Sequence, residues 1–192
     1  MESDRVRWNQ RYREGAYVTR KHPTSLLSDW LERLPHAVAL DLACGTGRNA
    51  RFIAQSAHRV IGVDISDVAI AQARELASHL DNVHFEIADL DNGISLGQQF
   101  DLIVMVRYVN LELMQKLPDF LVPGGAILVE EHLRWDDPAI ELAGPKNPDY
   151  RTEPGAVAQA LSYLETLHSF EGLVDDPLGE VSALAQFIGT KT

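Results

Sequence analysis

The chain has 192 residues and a formal net charge of −11 at pH 7, with 45% hydrophobic and 23% charged residues. This composition is typical of one globular domain, residues 1–192, and excludes a disordered or membrane-embedded chain. The single cysteine excludes an intramolecular disulfide and a cysteine-cluster metal site, so we predict no metal, and the acidic charge disfavours nucleic acid as a partner. No apolar run reaches the length of a membrane span and the first residues lack a signal-peptide core, so we expect a cytoplasmic protein.

The first 35 residues are predicted to form a helical cover for the elements that follow. Trp8 and Tyr12 are four residues apart and would lie on one face of a first short helix. A polar linker follows, and the apolar stripe between Leu26 and Leu34 predicts a second helix.

From residue 37 onward the pattern alternates between strands and helices. Apolar runs predict five strands, at 37–42, 59–63, 83–87, 100–106 and 126–131. The fourth of these is almost continuously apolar, so it should be central and covered on both faces. A helix from about 155 to 167 precedes two more strands, 167–172 and 180–188, which should be antiparallel neighbours because no helix joins them. The sequence therefore predicts an α/β fold, a doubly wound, seven-stranded, mostly parallel sheet with one antiparallel strand.

The joint after the first strand contains Gly45 and Gly47 and opens a helix. Glycine permits positive φ and close approach of a ligand, and the free N–H groups of the helix start would face that ligand. Asp64 ends the second strand and would lie at the same edge of the sheet, where open α/β folds bind ligands. The joint also satisfies G-x-G-x-x-A, so an NAD-dependent oxidoreductase with Asp64 on the ribose remains an alternative on this motif alone.

Four motifs together resemble the class I S-adenosylmethionine-dependent methyltransferases. They are Asp41 to Gly47, Asp64 seventeen residues later, Ala-Asp-Leu at 88–90 after the third strand, and Leu-Val-Pro-Gly-Gly at 121–125 before the fifth. The resemblance covers nearly the whole chain. The short length and the segment from Trp8 to Tyr12 are most similar to the small tellurite-resistance and thiopurine methyltransferase-like enzymes.

The resemblance implies S-adenosylmethionine as the cofactor. Ten residues are then expected at its site: Trp8, Tyr12, Asp41, Gly45, Gly47, Asp64, Ile65, Asp89, Leu90 and Val106. Asp64 would accept hydrogen bonds from the ribose hydroxyls and Asp89 from the adenine amino group. Asp41 would attract the ammonium group directly or through water, and Trp8 and Tyr12 would either close over the cofactor or pack in the core.

The resemblance also implies methyl transfer to a small molecule, such as a thiol, a chalcogen oxyanion or a small acid. Arg107 after the fourth strand would hold an anionic acceptor, whereas His132 after the fifth would be either a base or an ordinary strand-end histidine. The proline-rich stretch 134–154 is expected to cover the acceptor. A protein acceptor, the NAD-dependent oxidoreductase and a non-catalytic cofactor-binding module remain alternatives, and the oligomeric state stays open.

Overall fold

The computed structural model describes residues 2–93, 97–137, 139–175 and 180–192. Its strands are β1 Val38–Leu42, β2 Arg59–Asp64, β3 Val83–Ile87, β4 Phe100–Val106, β5 Leu121–His132, β6 Glu165–Asp175 and β7 Val181–Thr190. Its α-helices are α1 Glu2–Arg13, α2 Ser25–Trp30, α3 Arg48–Ile53, α4 Asp67–Leu76, α5 Leu111–Lys116 and α6 Ala156–Ala160. Short 3-10 helices lie at Leu31–Arg33, Leu90–Asn92, Leu117–Phe120 and Pro148–Tyr150.

The seven strands form one sheet in the order β3-β2-β1-β4-β5-β7-β6. Strands β1 to β5 pair in parallel, and β7 runs antiparallel to both of its neighbours, β5 and β6. The predicted fold class is therefore confirmed, and β4 takes the predicted central place. Parallel pairing brings the carboxyl ends of β1 to β5 to one edge of the sheet, which is where a ligand site is expected.

The core forms two layers because side chains alternate across the sheet. On β4, Leu102 and Val104 pack in one layer with residues of α2, α3 and α4, whereas Ile103 and Met105 pack in the other with residues of α5 and α6. All four side chains are fully buried. This burial on both faces explains why the sequence of β4 is apolar without alternation.

Some predicted boundaries are wrong. Helix α6 ends at Ala160 and β6 begins at Glu165, although the apolar spacing favoured a helix as far as residue 167. The reason is tertiary: β6 pairs with β7 from Glu165 to Asp175, and this ladder overrides local propensity. Likewise β5 begins at Leu121 and includes the predicted Pro-Gly-Gly turn, where its register with β4 shifts.

The two segments flanking the sheet edge also have defined structure. The N-terminal 35 residues contain α1, α2 and a 3-10 turn, and residues 134–154 contain another 3-10 turn. The proline-rich stretch is tied back to the end of β5 through Thr152, whose N–H donates to the His132 carbonyl. None of the described helices is long and apolar enough to span a bilayer.

Candidate active site

A cavity of about 500 Å³ lies at the carboxyl ends of the parallel strands, a volume within the range of small-molecule sites. Ten of the twelve predicted site residues line it: Trp8, Tyr12, Gly45, Asp64, Ile65, Asp89, Leu90, Val106, Arg107 and His132. Asp41 and Gly47 do not. The topology thus brings together residues from α1, from the loop after β1 and from the ends of β2 to β5.

Asp64 connects the ends of β1 and β2. Its Oδ2 accepts the Gly45 N–H at 2.8 Å and its Oδ1 accepts the Ser66 N–H at 2.8 Å. Burial raises the pKa of the Asp64 carboxyl, and these main-chain donors partly oppose that rise. Each oxygen retains capacity for a second hydrogen bond, so the carboxylate suits a ligand that offers two hydroxyls.

The glycines of the joint are required for different reasons. Gly45 has φ +54°, and a Cβ there would lie 2.5 Å from the Tyr12 hydroxyl oxygen. Gly47 has φ +75°, and a Cβ there would lie 2.6 Å from Cζ of Phe85. Gly45 therefore lets α1 approach the cavity, whereas Gly47 lets α3 pack closely on the sheet.

Asp41 lies behind the loop, with 1% of its surface exposed. Its Oδ2 accepts the Ala50 N–H at 2.9 Å, which ties the first turn of α3 to β1. Burial raises its pKa to about 7. The structure thus gives Asp41 a supporting position, and a contact with a ligand in the cavity would be indirect.

Helix α1 covers the cavity. The rings of Trp8, Tyr12 and Tyr17 form a cluster with centroids 5.9 to 6.5 Å apart. The helix is fastened by Asn9, a residue missed by sequence reasoning, whose side chain accepts from the Ser66 hydroxyl at 2.7 Å and donates to Asp67. A buried asparagine in a polar helix carries no sequence signal, because its partners lie 57 and 58 residues away.

An acidic wall follows β3. Asp89 caps the 3-10 turn by accepting the Asp91 N–H at 3.1 Å and the Asn92 amide at 2.9 Å. Asp91 accepts the Tyr108 hydroxyl at 2.7 Å and the Asn110 amide at 3.2 Å, which links the ends of β3 and β4. The turn-forming and ligand-facing interpretations of Asp89 are thus compatible, since it also lines the cavity.

Arg107 leaves the end of β4 in a left-handed conformation, with φ +64°. Its Nη2 pairs with Glu130 Oε1 at 3.1 Å and its Nη1 lies 2.9 Å from His132 Nδ1. The next N–H, of Tyr108, donates to Glu131 Oε1 at 3.0 Å and holds this turn. Glu130 is buried and also accepts from the Thr24 hydroxyl at 2.7 Å.

All three described non-glycine residues with positive φ line the cavity: Tyr17, Ala43 and Arg107. This conformation is uncommon for residues with a Cβ, and it persists where the surroundings over-determine it. Such strain is concentrated at functional sites, so its distribution here supports the cavity as the active site.

Two further arginines, Arg20 and Arg48, line the cavity and interact electrostatically with Arg107. Burial lowers the pKa of both Arg48 and Arg107, the neighbouring guanidinium groups lower it further, and nearby carboxylates such as Glu130 oppose the change. Burial, followed by the charges of Arg107, Arg151 and Arg20, holds the pKa of His132 well below its usual range. We call Arg20, Arg48 and Arg107 the arginine cluster. Its members come from separate segments, so spacing gave no indication of it.

Part of the stretch 134–154, which is predicted to cover the acceptor, packs against the His132 side chain. Arg151 holds it by donating to three main-chain carbonyls: Pro145 at 2.9 Å, Leu133 at 3.0 Å and Ala143 at 3.1 Å. This bonding places Gly144 directly against the His132 ring, where a Cβ would clash with the imidazole. At the mouth, the Arg7 guanidinium lies 5.3 Å from the Tyr150 ring centroid, so α1 and the loop meet.

Residues 39–125 match the family described as a methyltransferase domain. Over these residues the chain carries a methyltransferase domain. S-adenosylmethionine is accordingly the cofactor, and the oxidoreductase alternative left open by the glycine motif finds no support in this match. The fit is physical as well, because the cavity presents a carboxylate with spare acceptor capacity beside a glycine loop and aromatic rings.

The curated proteins that this chain resembles are longer than the chain itself. Trans-aconitate 2-methyltransferase from Deinococcus radiodurans is 30% identical over 155 residues, which are 77% of this chain and 58% of that protein. The 2-phytyl-1,4-naphtoquinone methyltransferase from Thermosynechococcus vestitus is 32% identical over 118 residues, which are 54% of this chain and 51% of that protein. The chain therefore spans little more than half the length of these curated relatives.

Solved structures share the fold at low sequence identity. TehB from Haemophilus influenzae has a TM-score of 0.73 at 18% identity, covering 96% of this chain and 67% of that one. The N-methyltransferase NodS from Bradyrhizobium japonicum, in complex with S-adenosyl-L-homocysteine, has a TM-score of 0.61 at 20% identity, covering 86% and 84%. At these identities the likeness establishes the fold, and the reaction has to be argued from the site.

Proposed function

We propose that this protein transfers the methyl group of S-adenosylmethionine to a small anionic acceptor. The observation that carries the proposal is the arginine cluster, Arg20, Arg48 and Arg107, on one wall of the cavity beside His132. These cations converge in a chain of formal charge −11, so a local field favours anions where the overall field repels them.

The opposite part of the cavity suits the cofactor. Asp64 would accept from the ribose hydroxyls, while Ile65 and Leu90 would pack on the adenine and Asp89 would accept from its amino group. When bound, S-adenosylmethionine supplies an electrophilic methyl group on a sulfonium. The aromatic cluster of Trp8, Tyr12 and Tyr17 would exclude water from this group and hold it in one orientation.

The charge balance supports an anion at the arginine cluster. Glu130 neutralises Arg107 through their contact at 3.1 Å. Burial raises the pKa of Glu131 to about 8, which weakens this carboxyl as a second counter-charge for Arg107 at neutral pH. Arg20 and Arg48 also line the cavity, where Arg20 lies 4.7 Å from the Tyr17 ring centroid and Arg48 Nη1 donates to the His22 carbonyl. Neither arginine has a direct ion pair in the described residues, and guanidinium forks match carboxylates and oxyanions in geometry.

Methyl transfer to such an acceptor needs alignment and the removal of water. The arginines would hold the acceptor anion with a lone pair directed at the methyl carbon, and transfer would convert the bound sulfonium into a neutral thioether. One negative and one positive charge disappear together, so a water-poor cavity favours the step. A small carboxylic acid and a chalcogen oxyanion both meet the requirement, and the name trans-aconitate 2-methyltransferase ascribes an acid acceptor to one relative.

The test has two stages. S-adenosylmethionine or S-adenosyl-L-homocysteine should raise the melting temperature, whereas NAD should not, because a ligand stabilises the state that binds it. Transfer of a labelled methyl group should then be measured over pairs of acceptors, each pair comprising an acid and its neutral amide or ester, with tellurite and selenite added. Transfer to an acid and none to its neutral partner is expected. A shift with NAD alone, or transfer only to neutral molecules or to peptides, would overturn the proposal.

A further inference from the structure

His132 lies where a catalytic base would be sought, between the arginine cluster and the loop that covers the cavity. We propose that His132 is instead a fixed hydrogen-bond donor to the acceptor, and that the protein therefore selects acceptors that are already ionised. This inference rests on the proposed function and adds to it the property by which the acceptor is chosen.

The hydrogen bond at Nδ1 fixes the tautomer. Nη1 of Arg107 lies 2.9 Å from His132 Nδ1. A guanidinium has five N–H donors and no acceptor, so Nδ1 must be the unprotonated nitrogen in this contact. A neutral imidazole with a bare Nδ1 carries its hydrogen on Nε2.

The surroundings oppose protonation of the ring. The charged groups that act on His132 are Arg107 from the end of β4, Arg20 from the segment after α1 and Arg151 from the covering loop. On the same strand, Glu130 is already engaged by Arg107 and by Thr24, and the adjacent Glu131 accepts the Tyr108 N–H. A proton on Nδ1 would break the bond to Arg107 and add a cation among cations.

The remaining nitrogen is available to a ligand. Nε2 of His132 makes no hydrogen bond to any residue in the described ranges. It is also not one of the fully buried polar atoms of those ranges that lack a partner, so a ligand in the cavity can reach it. Because the residue lines the cavity and Gly144 packs on its ring, the Nε2 hydrogen is presented in one orientation. Such a preset donor stabilises negative charge without reorganisation.

The neighbouring side chains do not supply a base either. Burial raises the pKa of the Tyr108 hydroxyl well above its usual range, and Glu131 is fully buried and does not line the cavity. Glu130 accepts from three side chains, those of Arg107, Thr24 and Gln186. The acceptor must therefore lose its proton before it binds, which favours carboxylic acids, oxyanions and acidic thiols over alcohols and amines.

The first experiment reads the histidine itself. Nitrogen-15 NMR of the imidazole rings, with the His132 signals assigned by their loss in His132→Gln, should show an unprotonated Nδ1 and a protonated Nε2. No titration is expected between about pH 5 and pH 8, the range in which an unperturbed histidine changes charge. A midpoint within that range, or a hydrogen on Nδ1, would refute the proposal whether or not a methyl acceptor is known.

The second experiment uses kinetics with two acid acceptors of similar shape and different acidity. The pH profile of kcat/KM should follow each acceptor's own ionisation and show no limb common to both. His132→Gln, which can accept from Arg107 and donate through its amide, should keep activity within about 10-fold, whereas His132→Leu should lose about 100-fold or more. A common acidic limb that disappears in His132→Gln, together with equal losses in both variants, would identify a base. Absence of transfer to every acceptor would count against the proposed function, while the NMR result would still decide the state of His132.

Discussion

At the end of the cavity formed by β1 and β2, Asp64 is buried and its oxygens accept main-chain hydrogen bonds from Gly45 and Ser66. At the end formed by β4 and β5, Glu130 is buried and its oxygens accept from the side chains of Arg107 and Thr24. The donor furthest from Asp64 lies 19 residues away, whereas Thr24 lies 106 residues from Glu130.

Under the proposed function, this difference separates the two ligands that the one cavity would bind. Main-chain donors fixed by a turn and a strand end cannot change with side-chain substitution, so they suit a constant ligand such as the cofactor. Side chains supplied by distant segments can be exchanged individually, so the β4 and β5 end can be adapted to a particular acceptor. Substitutions at the two ends should accordingly affect different binding steps.

The largest expected effect is at the cofactor end. Asp64→Ala should lower S-adenosylmethionine affinity by about 100-fold or more, because hydrogen bonds to a charged group contribute about 1.5–3 kcal/mol each and two would be lost. Calorimetric titration measures the change. The variant should also unfold at a lower temperature, since the Gly45 and Ser66 N–H groups lose their acceptor.

The matched control is Asp81→Ala, which removes an exposed aspartate that does not line the cavity. It should bind the cofactor as the parent protein does. If Asp64→Ala retained tight binding while folded, the ribose contact would be misassigned, and the two ends would no longer differ in the ligand that they recognise.

At the end formed by β4 and β5, a substitution should weaken use of the acceptor and leave cofactor binding almost unchanged. Arg107→Gln alone would leave Glu130 buried without its cation, at a cost of about 3–5 kcal/mol, so the informative variant also carries Glu130→Gln. Its kcat/KM for an anionic acceptor should fall by about 100-fold, while cofactor affinity changes by less than about 3-fold. Steady-state kinetics and calorimetry separate the two quantities. Arg59→Gln, at the exposed start of β2, is the control and should change neither quantity. If the double variant lost cofactor affinity and acceptor kcat/KM equally, the two ends would be one site.

The smallest effect concerns stability and pH. Burial raises the pKa of Glu131 from 4.5 to about 8, so between these values the folded protein holds a proton that the unfolded chain has released. The free energy of unfolding should therefore fall as pH rises through this window, by at most about 1.4 kcal/mol per pH unit. Glu131→Gln has no proton to lose and should flatten this dependence.

Urea denaturation at several values between about pH 5 and pH 8 provides the measurement. Asp41→Asn is the corresponding variant at the cofactor end. Burial raises the pKa of Asp41 from 3.8 to about 7, so its contribution to the pH dependence of stability should end near pH 7. If the free energy of unfolding depended on pH in the same way in the parent protein and in Glu131→Gln, the Glu131 carboxyl would be ionised in the folded protein. In that case the charge balance of the acceptor end would need revision.

Much of the cofactor end was predictable because its signals are local. Apolar runs located the strands, and the strand-end rule placed Asp64 beside Gly45. Sequence reasoning was less successful where packing redirects a side chain. Asp41 supports α3 instead of facing the cavity, and Asn9 fastens α1 through partners that no spacing connects.

What the sequence determined by itself is the order of elements, the seven-stranded sheet with β4 at its centre, and the position of the glycine joint at the edge of the sheet where the cavity lies. These follow from periodicity and chain connectivity, which operate over a few residues or along one strand. Only the tertiary structure decided the arginine cluster, the pairing of Arg107 with Glu130, and the hydrogen bond that fixes the tautomer of His132. Those depend on segments that meet when the sheet forms, and on burial that shifts the proton affinity of each group after it is enclosed.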